Sequence, residues 1–136
     1  MVTLSTLPQA TEQEVFDQVA RHLLTQQRVS YSPSNDMCAY RSPFGACAAG
    51  CLLADDEYSP DMEGKAWDQL TLSGRVPNEH VNLISVLQTV HDEGHDLMDQ
   101  VPSNVFSEWR HRLEEVAEEF DLDTTVLEEM ECTPAQ

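Results

Sequence analysis

The sequence predicts a mainly α-helical protein carrying one small β-hairpin, folded as a single compact domain of three long helices and one or two short ones. Three observations predict it: apolar residues recur three and four apart in three separate stretches, a capping signature precedes the first, and a cluster of turn formers separates two short extended segments. The chain has 136 residues, enough for one core, and 40% of them are hydrophobic.

The first helix opens on Thr11 and Glu14, the spacing at which a hydroxyl and a carboxylate satisfy each other's amides. Val15, Phe16, Val19, Ala20, Leu23 and Leu24 then form one apolar stripe. Between Val29–Tyr31 and Met37–Arg41 lies Ser32-Pro33-Ser34-Asn35-Asp36, which predicts a hairpin. Ser42-Pro43-Phe44-Gly45 suits a type I turn and leads into Ala46–Ala54, whose small and apolar residues predict a short buried helix. Ser59-Pro60 predicts a single helical turn that Gly64 stops. From Pro77 to about Glu93 a second long helix places Leu83, Ile84, Leu87, Val90 and His91 on one side, with Gly94 at its end. A third, starting behind Ser103, carries Phe106, Trp109, Leu113, Val116, Ala117 and Phe120. Asp121–Thr125 break it, and Thr125 with Glu128 caps a last short turn. No linker divides residues 1–136, and residues 121–136 read as a short acidic turn and tail.

Charge excludes some functions. Twenty-five acids against seven Lys and Arg give a net charge of -18, which opposes direct nucleic-acid or anionic-membrane binding, since both depend on basic side chains. It favours a basic partner. The charge is also unevenly placed: residues 1–50 hold four acids and three bases, while nine acids follow the last base, Arg112. No apolar run is long enough for a membrane span, and the first ten residues lack the basic and apolar regions of a signal peptide. A cytoplasmic location is expected, with Cys38, Cys47, Cys51 and Cys132 as thiols or metal ligands rather than disulfides.

Three groups could carry function. Cys38, Cys47 and Cys51, with His91 and His95, offer zinc-type ligands, but eight residues lie between the first two cysteines and three between the next two, unlike short zinc knuckles. Cys47 and Cys51 read more readily as buried small hydrophobes one turn apart, which is how free cysteine usually behaves. Alternatively, Cys47 after a Pro-Gly turn could be a thiol nucleophile, with His91 as base and Asp92 as orienter. A lone histidine on an apolar stripe is more often a hydrogen-bonded core residue. The third group is the acidic C-terminal surface: Glu108, Glu114, Glu115, Glu118, Glu119, Glu128 and Glu129. Glu114 with Glu118, and Glu115 with Glu119, are like-charge i,i+4 pairs that cost a helix a few tenths of a kcal/mol, so folding does not require them. Four carboxylates within about 7.5 Å of helix axis approach the charge spacing of duplex DNA, one per ~1.7 Å. Such a face could imitate nucleic acid, although a charged face also simply keeps a protein soluble.

The acids Asp55, Asp56, Glu57, Asp61 and Glu63 lack the alternation and central Gly of a calcium loop and read as solvated. Tyr40, Arg41, Gly45 and Glu63 read as structural, with Arg41 paired to an acid of the Asp55–Glu63 loop.

Cys38-x-Tyr40-Arg41, Gly45-x-Cys47-Ala48-x-Gly50-Cys51-Leu52-Leu53, Asp56-Glu57-Tyr58-x-Pro60-x-Met62-Glu63-Gly64-Lys65 and His91-Asp92 together resemble a family of short uncharacterised proteins of bacteria and their phages. The likeness runs from about Val15 to Phe120 and is most specific between Cys38 and Lys65. It implies a setting rather than an activity: small acidic phage-type proteins often bind a host protein. The expectation is a non-enzymatic acidic interaction module, possessing no cofactor and engaging a basic or nucleic-acid-binding host protein. The competing expectation is a thiol- or zinc-dependent enzyme, or a zinc-stabilised domain, centred on Cys38, Cys47, Cys51 and His91. Homodimerisation is a further expectation if the Phe106–Phe120 stripe is exposed.

Overall fold

The structure, a computed structural model, describes residues 1–32, 37–94 and 102–130. It is mainly α, as the apolar periodicity predicts. Three long helices, α1 (Glu12–Gln26), α3 (Val81–Glu93) and α4 (Pro102–Phe120), pack on one another, with α2 (Trp67–Leu72) against α3 and α5 (Thr125–Glu129) against α1. Their stripes close one connected core that includes Phe16, Leu23, Leu24, Leu83, Leu87, Trp109 and Leu113. Glu14 Oε1 accepts from the Thr11 amide at 2.8 Å while Thr11 Oγ1 accepts from the Glu14 amide at 3.1 Å, completing the capping box.

The predicted single hairpin is two. Strands β1 (Tyr31–Ser32) and β2 (Met37–Cys38) pair antiparallel, and so do β3 (Arg41–Ser42) and β4 (Gly45–Ala46). The second ladder flanks Pro43-Phe44, where Gly45 has φ 120°, outside the reach of other residues. Residues 33–36, most of the predicted first turn, lie outside the described residues.

The expected helix over Ala46–Ala54 shrinks to one 3-10 turn at Gly50–Leu52. A Cβ on Gly50 would lie 2.2 Å from the Tyr40 carbonyl oxygen, so the hairpin backbone occupies the space a side chain would need. The Ser59-Pro60 turn is likewise 3-10, at Pro60–Met62. Helix α3 begins at Val81, four residues later than Pro77 suggested, because His80 is left-handed, with φ 63°. His80 Nε2 lies 2.7 Å from the Ala10 carbonyl, fastening the start of α3 to the approach to α1.

At the other end of α3, Gly94 is required for clearance rather than conformation: a Cβ there would lie 2.7 Å from Trp109 Nε1. Asp121, with φ 57°, ends α4. The last turn is not held by Thr125 with Glu128; the Asp123 carboxylate accepts instead from the Thr125 amide at 2.7 Å. No described helix is long and apolar enough to cross a membrane. His95, Glu131 and Cys132 lie outside the described residues.

Candidate functional site

Helix α3 places His91 and Asp92 one step apart, so His91 points into the core and Asp92 stands at its edge. The His91 side chain has no exposure, and its ring stacks on Trp109 with centroids 5.6 Å apart. The Ser30 amide donates to His91 Nε2 at 2.8 Å. A backbone N–H can only donate, so Nε2 must carry the lone pair and the ring proton sits on Nδ1. That proton points at Asp92 Oδ1, 3.0 Å away. Gln88, one turn back on α3, donates to the same oxygen at 2.9 Å while its own Oε1 accepts from the Ala49 amide.

Strand β2 completes the group. The Cys38 thiol faces the Asp92 carboxylate; burial first, then the Asp92 charge and its interaction with the thiol, push Cys38 up to about 12. Cys38 Sγ, a His91 nitrogen and an Asp92 oxygen all lie within 4.8 Å of one another. Sequence reasoning had grouped Cys38 with Cys47, Cys51 and His91, but the structure brings Asp92 into this set and leaves Cys47 and Cys51 outside it. Cys47 is buried to 1% exposure, accepts from the Gly50 amide at 3.3 Å, and has its thiol pushed well above the ordinary range by burial. Burial likewise raises Cys51 to about 12, and its Sγ donates to the Ala48 carbonyl at 3.1 Å. None of these three cysteines is in a disulfide.

Within this group the His91 nitrogens and an Asp92 oxygen are already engaged by hydrogen bonds inside the chain. A thiol nucleophile needs a lowered pKa and an accessible position; both Cys38 and Cys47 have raised values. A base needs a free lone pair, and that of His91 is occupied by Ser30. A metal on Nδ1 would require the remaining ring proton to move to Nε2, where it would face the Ser30 N–H donor to donor. Metal-bound histidines normally donate their second N–H to an acceptor. Here that partner has the opposite polarity.

Glu63 and Arg41, read from the sequence as structural, each make several internal contacts. Glu63 accepts from the Tyr40 and Arg41 amides at 2.9 and 3.2 Å and from the Tyr58 hydroxyl at 2.7 Å. Arg41 reaches Asp55 at 2.6 Å, donates to the Leu53 carbonyl and covers the Tyr58 ring. The acidic loop is not wholly solvated. Although burial pushes the Glu57 carboxyl up, amides of Ala54, Leu4 and Ser5 outweigh it and hold the group below its usual range.

Beside Cys38 and Asp92 opens a cleft of about 720 Å³, walled by β2, α2 and α3. Trp67 and Asp68 contribute from α2. The Trp67 side chain is 1% exposed and its indole N–H has no acceptor among the described residues. Sequence reasoning missed Ser30, Trp67, Asp68 and Gln88. Of these only Gln88 carried a signal, standing three and four positions before His91 and Asp92 on a helix.

The acidic surface sorts into paired and unpaired carboxylates. Glu108 sits in a chain with Arg112 and Glu93 at 3.0 Å each; Glu114 reaches Arg110 at 3.5 Å, Glu115 His111 at 4.0 Å, and Glu129 Arg21 at 3.5 Å. Glu118, Glu119 and Glu128 are exposed and have no cation within 4.0 Å among the described residues. Glu114, Glu118 and Glu128 flank a groove of about 400 Å³ between α4 and α5, with Arg110 beside them. The apolar stripe of α4 is consumed internally: Phe106, Trp109, Leu113 and Val116 are buried in the chain's own core.

No protein-family model, curated protein sequence or solved structure matches this chain.

Proposed function

We propose that the protein is a non-enzymatic interaction module whose acidic α4–α5 surface engages a basic, nucleic-acid-binding protein of a bacterial host. The observation that supports this best is the unpaired set Glu118, Glu119 and Glu128, exposed beside the weakly tied Glu114 and Glu115. Glu118 and Glu119 stand one turn after Glu114 and Glu115 on α4, and like-charge repulsion at that spacing works against the helix. A surface that costs the fold and concentrates one sign of charge steers an oppositely charged partner. The resemblance to bacterial and phage proteins supplies the host setting, and with it a cytoplasmic location. The raised thiols and the occupied His91 lone pair count against the thiol- or zinc-centred alternative.

The test is a pull-down from bacterial lysate at two salt concentrations with the wild-type chain and with Glu115→Lys/Glu119→Lys. A basic protein retained at low salt, displaced by duplex DNA and lost in the charge-reversed variant is the expected result. Equal retention by the variant would refute the proposal.

A further inference from the structure

We draw no further inference here: the strongest candidate, the cleft of about 720 Å³ walled by β2, α2 and α3, rests on two exposed carboxylates, Asp68 and Asp92, beside Lys65, and nothing in the structure shows what covers it.

Discussion

Replacing His91 by Phe isolates what the buried imidazole contributes. The ring shape and its stack on Trp109 are retained, but both nitrogens go. Ser30 then keeps a buried amide with no acceptor, which costs about 1–3 kcal/mol. Loss of the Nδ1–H bond to Asp92 adds about 1 kcal/mol, limited because the half-exposed carboxylate can take water instead. The total is about 2–4 kcal/mol. A chain of this length has roughly 7–20 kcal/mol to lose, at about 0.05–0.15 kcal/mol per residue, so the variant should remain folded. Urea unfolding followed by circular dichroism should show a midpoint lower by about 0.7–4 M at a slope of about 1–3 kcal/mol per M. His91→Gln, whose amide oxygen can accept from Ser30, should recover part of the loss. A midpoint within about 0.3 M of wild type, at unchanged slope, would refute the assigned tautomer and the structural role built on it.

Other variants and conditions probe neighbouring claims. With Cys38 raised to about 12 and Cys47 buried, iodoacetamide at pH 7.5 should label neither appreciably until urea is added, and fast native labelling of either would reopen the thiol chemistry. Gly50→Ala should destabilise by about 2 kcal/mol or more, because the new methyl meets rigid backbone at Tyr40 rather than a movable side chain; a thermal midpoint unchanged within error would contradict that contact. Glu63→Gln removes a charge that serves two amides and a hydroxyl, and should cost about 2 kcal/mol, read from the same urea titration. Burial lowers His22 from its ordinary 6.5, against the hydrogen bond to Ala46, so the folded state disfavours its proton. Its contribution is therefore present above pH 6.5 and lost as pH falls through the lowered folded value. His22→Gln should flatten the stability–pH curve in that window, and an unchanged slope would argue against it.

What the sequence made legible followed from periodicity. Val15 to Leu24, Leu83 to His91 and Phe106 to Ala117 each buried the predicted face, with Phe120 half-buried at its end, because a stripe three and four apart has few ways to leave water. Local chemistry was also readable at Thr11 and Glu14, and in the Arg41–Asp55 pair. The failures share a cause in contacts between distant residues. Ala46–Ala54 has helical composition, yet the Tyr40 carbonyl lies against Gly50 and leaves a single 3-10 turn. Residue type alone grouped Cys38 with Cys47, Cys51 and His91, against a spacing unlike that of zinc knuckles, whereas Asp92, far along the chain, lies beside Cys38. Ser30 offered no signal at all, since its role is set by a backbone amide and by a histidine 61 positions away.

That last bond has a consequence for the order in which the molecule assembles. Each ladder has only two residue pairs, too few to persist alone. The Ser30 amide finds its acceptor only when α3 is formed and docked, and the Ser30 hydroxyl ties the first hairpin region to the second through the Ala39 carbonyl at 2.7 Å and Ser42 Oγ at 3.0 Å. The expected order is that the helices dock before the two hairpins are fixed, since the local helical contacts cost less chain entropy to form. In the finished protein the Ser30 amide should exchange its hydrogen only when that whole docking is undone, making one proton a gauge of whether the hairpins and the helices still belong to the same cooperative unit.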